Sequence, residues 1–412
     1  MSLPLFRERD PQRERLVWFS EIQWDFLSTR KQRLLGRFSD RWRVLFIEPY
    51  ALGRSHHWLP RRRGRVWVVT VPFLKSVPFS FGRLLDIPLL RMLVSIPGII
   101  LMLFWVTLLG FGSSRRIIAL SNVYWGRVAA FLPCRLRVYD ANDDHLAFPG
   151  TPRWLASYLA AFLKRVDLLF SVSGELTARL DVPEGVRTVE LGNGVEFSHF
   201  ALKRSEVPER LRELHGKILG YAGAMDWLDT PLVAATARAF PECSMVLLGP
   251  AYLHDWWTKQ LSINTLPNVH YFGKVDYAEL PAWIQRFDLA LMPLLGNDLK
   301  GVSHPNKLYE YTAAGVPVLA MNYCSAVDRA ADIINVADSA EEFVKMVPEA
   351  LQDRRTEARQ AFARRHSWDD LAATMERELL DALERERPGP IERERLAKIE
   401  RERLSAAGER NP

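Results

Sequence analysis

The sequence predicts an α/β protein built from two doubly wound parallel sheets, and three observations lead there. The chain has 412 residues, more than one hydrophobic core usually fills. Short apolar runs alternate with helical stretches, the pattern of strand–helix–strand units and a parallel sheet. The alternation also begins twice: it stops in a polar, mixed-charge stretch over about 200–217, where a linker is expected, and restarts at Ile218.

In the first half, residues 16–20 read as a strand, followed by a loop over 21–26 and a basic helix over 30–38. A second strand, 43–48, is stopped by Pro49, and a third covers 65–71. Between them lie Arg61, Arg62 and Arg63, and two adjacent histidines, His56 and His57, whose side chains point apart in any regular element and so do not pair on a metal. The apolar stretch 92–110 is long enough to span a bilayer. Pro97-Gly98 interrupts it, Arg91, Arg115 and Arg116 flank it, and the strand after it (117–120) must join the sheet begun before it. A helix lying in one leaflet is therefore expected rather than a crossing; an unusually apolar core helix has the same pattern. Strands over 135–140, 167–173 and 188–191 follow.

Charge and cysteine content narrow the classes. Residues 1–150 carry 23 Lys and Arg against 11 Asp and Glu, an excess of 12 that exceeds the +6 of the whole chain. An anionic membrane surface, an anionic substrate or plain solvation each accounts for it. Nucleic acid is not expected, because the basic residues are not interleaved with base-stacking aromatics. Cys134, Cys243 and Cys324 are isolated, so neither a disulfide framework nor a cysteine zinc site is indicated. The start of the chain is charged rather than apolar, which favours a cytoplasmic location with peripheral membrane association.

In the second half, strands are expected at 218–222, 244–249, 268–273, 289–294 and 316–320, with ligands bound at their carboxyl ends. A helix follows over 367–383, and beyond Pro388-Gly389-Pro390 the Glu-Arg repeats read as a solvated charged tail. The most informative stretch is 303–320. Ser303 is a good N-cap, Pro305 is tolerated in a first helical turn, and Gly315 sits where a C-cap is wanted. Lys307 and Glu310 then share one face of the opening turns. A helix N-terminus attracts phosphate, Lys307 adds a full charge, and Glu310 can accept hydrogen bonds from two vicinal hydroxyls of a ribose. An exposed ion pair of about 0.2–0.5 kcal/mol has the same spacing.

The segment Lys307-Leu-Tyr-Glu310-Tyr-Thr-Ala-Ala-Gly315-Val-Pro-Val318 resembles the nucleotide-binding helix of GT-B glycosyltransferases, where this Glu contacts the ribose and the Lys the diphosphate of a sugar nucleotide. Inverting transfer to a hydroxyl needs a base within hydrogen-bond reach, and the acidic turn Asp140-Ala-Asn-Asp-Asp-His145, at the end of a strand, supplies candidates: Asp143 first, then Asp144 and His145. An Asx turn or helix cap has the same composition. The loop from Gly220 to Asp226 follows a strand and lets backbone approach a diphosphate at Gly223 and Ala224, with the Gly249-Pro250 turn bordering a base pocket. A small-residue turn joining strand to helix would look the same.

Taken together, Trp24-Asp25-Phe26, Val138-Tyr-Asp-Ala-Asn-Asp143-Asp144, Asn193-Gly-Val195, Gly220-Tyr-Ala-Gly-Ala224 and the Lys307–Glu310 helix resemble bacterial glycosyltransferases of cell-surface polysaccharide synthesis, including the teichuronic-acid type. A more distant likeness is to the membrane-associated glucuronosyltransferase of xanthan assembly, whose catalytic base maps to Asp143. The resemblance implies a GT-B fold of two Rossmann-like domains facing across a cleft. Residues 1–200 would bind acceptor and membrane, 215–366 the nucleotide sugar, 367–387 would cross back to the first domain, and 388–412 would be tail. It also implies a nucleoside diphosphate sugar as donor, a lipid-linked or surface-glycan acceptor, no cofactor and no metal. Donor contacts would come from Gly223, Ala224, Gly249, Ser303, His304, Pro305, Asn306, Lys307 and Glu310. The sequence departs from related retaining enzymes at Val302, where they carry a second Glu, and at 224–229, where they carry Arg and Lys. A non-hydrolysing nucleotide-sugar epimerase and an inactive scaffold in a glycan-synthesis complex are the alternative functions.

Overall fold

The computed structural model describes residues 13–385, except 27, 52–56, 78, 149, 253–254 and 295–300. His56, most of the loop between Gly296 and Gly301, and the charged tail lie outside the described residues.

The first sheet contains β1 (Glu14–Phe19), β2 (Trp42–Pro49), β3 (Arg61–Arg63), β4 (Val66–Val71), β5 (Ile117–Leu120), β6 (Leu136–Ala141), β7 (Leu168–Ser171) and β8 (Arg187–Glu190). Their order is β3-β4-β2-β1-β5-β6-β7-β8. The second sheet contains β9 (Ile218–Ala222), β10 (Ser244–Leu248), β11 (Val269–Gly273), β12 (Leu289–Met292), β13 (Val318–Met321) and β14 (Asn335–Ala337), in the order β11-β10-β9-β12-β13-β14. In each sheet the winding reverses beside its first strand, between β1 and β5 and between β9 and β12. The crevices at the carboxyl ends of these pairs are where open α/β sheets bind ligands.

The central strands are buried on both faces, which is why they read as continuous apolar runs rather than alternating ones. Helix α1 (Arg30–Leu35) and the last helix (Trp368–Arg385) cover one face of the first sheet, so the chain returns to its starting domain. Helix α2 (Pro88–Leu108) and the helices Gly126–Phe131 and Trp154–Leu163 cover the other. The chain therefore crosses between the halves twice, and the crossings lie side by side. Val195 N–H donates to the His366 carbonyl at 3.0 Å and Trp368 N–H to the Val195 carbonyl at 3.1 Å. Gly194 permits this approach, since a Cβ there would stand 2.4 Å from the His366 oxygen.

Two expectations change and a third holds. The Arg61–Arg63 run is a strand, antiparallel to β4, so the first sheet is not wholly parallel. Two of its cations serve the fold: Arg61 bonds the buried Glu48 at 2.8 Å, and Arg63 bonds Asp25 at 2.8 Å. Second, Pro97-Gly98 does not interrupt α2, which runs unbroken for 21 residues. Gly98 marks a close approach instead: a Cβ there would be 2.1 Å from the Pro72 carbonyl oxygen. As expected, α2 does not lead the chain across a bilayer, and it is only partly a core helix. β4 before it and β5 after it share one sheet, and Met102, Trp105 and Val106 pack into the core. Its other face presents Leu89, Met92, Leu93, Ile96, Ile100, Leu103, Phe104 and Leu108 to solvent, with Ile100 63 % exposed.

Candidate active site in the interdomain cleft

The carboxyl ends of the two sheets enclose two adjoining cavities of about 440 and 540 Å³ that share Thr29, Asn306 and Lys307. The Lys307 helix runs from Asn306 to Ala314 and ends at Gly315 in the left-handed region, φ 77°. It starts later than the sequence suggests. Pro305, not Ser303, occupies the N-cap position, and no side chain caps the helix. The first-turn N–H groups are thus left without a side-chain acceptor at the edge of the cleft.

The Lys307 side chain crosses Gly223, where a Cβ would stand 2.0 Å from Lys307 Cε and 2.5 Å from Nζ. Its ammonium lies 5.4 Å from the Tyr221 ring centroid, and among the described residues neither it nor the Glu310 carboxylate has a hydrogen-bond or ion-pair partner. Burial pushes the Lys307 pKa down, against the pull of Glu310, and pushes that of Glu310 up, against Lys307 and Arg33. These groups are therefore not the contact pair that their spacing also allowed. Gly223 N–H donates to the Leu248 carbonyl at 2.8 Å. Gly249 adopts φ 137°, and a Cβ there would meet the Gly223 backbone oxygen at 1.9 Å, so this position requires glycine. Gly223, Gly249, Lys307 and Glu310 line one cavity, whereas Ala224 stands back and its carbonyl accepts from the Tyr221 hydroxyl at 2.9 Å.

Ser303, His304, Pro305 and Asn306 line the second cavity, but the His304 ring is already engaged. Asn193 N–H donates to its Nδ1 at 2.9 Å, so the proton sits on Nε2 and points to the Tyr309 hydroxyl at 3.1 Å. The ring thus ties the Asn193 loop of the first domain to the Lys307 helix. Burial, followed by the cations Arg30, Arg329 and His366, lowers its pKa from 6.5 to about 3. Between those values the unfolded chain holds a proton that the folded ring refuses, so stability present at neutral pH is lost as pH falls through this window, at up to about 1.4 kcal/mol per pH unit. Urea midpoints at about pH 7 and about pH 4 should separate further in the wild type than in His304→Asn.

The acidic turn splits. Asp143 lines the second cavity, accepts from Asn142 Nδ2 at 2.9 Å, and has its pKa raised by burial, with His145 the largest opposing influence. Asp144 turns away to an ion pair with Arg179 at 3.2 Å. His145 faces Asn142 Oδ1 at 3.4 Å and, with Asp144, borders a smaller cavity behind the turn. Asp140 is fully buried against Arg30, at 3.0 Å. The structure also brings in residues that sequence reasoning passed over. Glu21, just after β1, pairs with Lys31 of α1, whose side chain is buried, and both line the Asp143 cavity. Arg33 lies 4.3 Å over the Tyr277 ring beside Glu310. The place of β1 at the winding reversal was the signal for Glu21.

Residues 216–353, which include the Lys307 helix, match the family described as glycosyl transferases group 1. The chain is 27 % identical over 338 residues to a putative teichuronic acid biosynthesis glycosyltransferase, TuaH, of Bacillus subtilis, across 74 % of this chain and 80 % of that protein. It is 24 % identical to the phosphatidyl-myo-inositol mannosyltransferase of Propionibacterium freudenreichii, over 52 % of this chain and 56 % of that one. Among solved structures, Anabaena HepE in complex with UDP and glucose superposes with a TM-score of 0.65 at 15 % identity, covering 90 % of this chain and all of HepE. The two facing sheets are thus the GT-B fold.

Proposed function

We propose, from the premise that this chain is a glycosyltransferase of GT-B fold, that it moves a sugar from a nucleoside diphosphate to a hydroxyl of a lipid-linked or cell-surface glycan, at the inner face of the membrane. The observation that carries the donor assignment is the unpartnered ammonium of Lys307 and carboxylate of Glu310, side by side on an uncapped helix end that faces the cleft across Gly223. The ammonium and the helix end suit a diphosphate, and the carboxylate suits ribose hydroxyls. HepE, of the same fold, was solved with UDP and glucose, which supports a nucleotide sugar here.

In the proposed reaction the acceptor oxygen forms a bond to the anomeric carbon while the bond to the diphosphate breaks. The leaving nucleotide takes the electron pair beside Lys307, and Asp143 takes the hydroxyl proton. A carboxylate with a raised pKa is a better base than an exposed one. Charge on the leaving group falls to Lys307 and the helix end in this scheme, so transfer should persist in EDTA. Calorimetry with UDP provides the direct test: Glu310→Ala should weaken binding about 10- to 100-fold while the protein stays folded, as thermal melts of the ligand-free variant will show. Unaltered UDP affinity would count against the donor assignment.

The exposed face of α2 supports the membrane part of the reading. Nine exposed large apolar side chains on one helix, Val94 included, exceed what a soluble surface carries without a partner, and the basic first half suits anionic lipid. Replacing Leu93, Ile100 and Phe104 together with Asn should abolish flotation with anionic vesicles and leave UDP binding intact, since each inserted side chain contributes about 1.5–3 kcal/mol.

A further inference from the structure

We infer that the first domain carries a second anion site, outside the cleft, which seats the phosphate of an anionic glycerophospholipid at the carboxyl end of α2. The inference rests on the membrane reading above and adds to it a lipid class and a place for the headgroup.

The site begins with Arg62, the arginine of β3 that points away from its two neighbours. Side chains alternate along a strand. Arg61 and Arg63 lie in register with Val68 and Val66, which pack under α1 and the last helix. Arg62 lies opposite Trp67 and so faces the side of the sheet that α2 covers. Its guanidinium stands 5.0 Å over the Trp67 ring. Stacking takes up the flat face of a guanidinium and leaves its edge, where the N–H groups that bind phosphate project, in the plane.

Arg62 forms one wall of a cavity of about 230 Å³ at the amino ends of β2 and β4. Arg13, Arg43, Arg65 and Asp40 line it too, so among the described residues four guanidinium groups stand against one carboxylate. Asp40 is exposed and meets Arg65 at 3.2 Å, a surface pair that water already weakens. Arg43 is buried and donates from Nη2 to the Leu109 carbonyl at 3.0 Å. It thereby ties the cavity to the residue that ends α2, and it adds positive field rather than a contact.

The place of the cavity fixes its occupant. The exposed apolar side chains of α2 continue to Leu108, next to the carbonyl that Arg43 holds. A helix whose apolar face lies at the acyl boundary brings the residues at its end among headgroups, where lipid phosphate is the abundant anion. Arg62 and Arg65 are exposed, as residues that reach a headgroup must be. The cleft lies at the opposite, carboxyl ends of the same strands, so a phosphate here leaves the donor cavity at Lys307 untouched.

The experiment is flotation of the full-length protein with vesicles in about 0.15 M salt, which screens diffuse attraction beyond about 8 Å. Pure phosphatidylcholine is compared with phosphatidylcholine containing about one third phosphatidylglycerol. The wild type should bind the mixed vesicles at least about tenfold more tightly. Arg62→Gln combined with Arg65→Gln should remove most of that preference and leave the weaker binding to phosphatidylcholine as it was. Arg153→Gln with Lys164→Gln takes the same charge from other exposed positions of the domain and should keep the preference within about threefold. Equal losses in the two pairs, or a wild type indifferent to phosphatidylglycerol, overturn the inference and leave the apolar docking of α2 in place. Glycerol 3-phosphate supplies the same phosphate without acyl chains. If it raises the melting temperature of the wild type but not of the Arg62 and Arg65 pair, the site serves a soluble anion and the lipid assignment falls. Failure to float with either vesicle overturns the membrane reading as well. The two vesicles and the unaltered protein decide the matter even if a variant does not fold.

Discussion

Lys307→Met should reduce glycosyl transfer at least about a hundredfold while the ligand-free protein melts at a higher temperature than the wild type. Both directions follow from one observation. The ammonium is half-buried over Gly223, 5.4 Å from the Tyr221 ring centroid and without a hydrogen-bond or ion-pair partner among the described residues, and burial depresses its pKa. An unpaired cation in that position costs stability until a diphosphate arrives, so a thioether of similar length relieves the empty protein and disables the loaded one. Gly223→Ala reaches the same end by another route. Its Cβ would fall mainly on the far end of a flexible side chain, 2.0 Å from Lys307 Cε, with the Tyr221 hydroxyl at 2.8 Å, so Lys307 swings aside at a modest cost in stability. Steady-state kinetics together with thermal melts of the two variants check the pair. A Lys307→Met protein that is less stable and still active would show that the cation serves the fold rather than the donor.

Gly249→Ala should behave differently and destabilise the second domain by about 3 kcal/mol or more. Here the new methyl group would meet backbone, the Gly223 oxygen at 1.9 Å, and the residue would have to hold φ 137°, where only glycine is comfortable. The Gly249 N–H and C=O are also bonded, to the Gly273 carbonyl at 2.7 Å and from the Tyr271 hydroxyl at 3.0 Å, so the turn has no freedom to relax. Urea unfolding followed by tryptophan fluorescence gives the stability, and UDP titration of the folded fraction gives the effect on the site. A change below about 1 kcal/mol would mean that the turn can move away from the Gly223 backbone after all.

What could be read in the sequence was whatever depended on neighbours along the chain. The strand–helix alternation, the polar stretch between the halves, the Lys307–Glu310 spacing and the Gly315 cap are local patterns, and they marked the fold and the helix that carries Lys307 to the cleft. What escaped depended on neighbours in space. His304 looked like a donor contact because nothing in the sequence shows that it meets Asn193, 111 positions away. Asp144 ranked just behind Asp143 because nothing in the sequence shows its ion pair with Arg179. The Glu21–Lys31 pair becomes visible only once β1 is known to stand at the winding reversal. The three-residue strands β3 and β14 are too short to carry a period of their own. Pro97-Gly98 was read as a break because the glycine's reason, contact with Pro72, lies outside the helix.

The paired crossings at Val195 and His366–Trp368 bear on how the halves can move. One covalent thread between two bodies lets them swivel as well as bend. Two threads laced together by hydrogen bonds behave as a pin: they permit rotation about a single axis and resist twist. Opening the jaws to admit a nucleotide then leaves Asp143 and Lys307 on a common arc, and closing returns them to the same mutual alignment on every turnover.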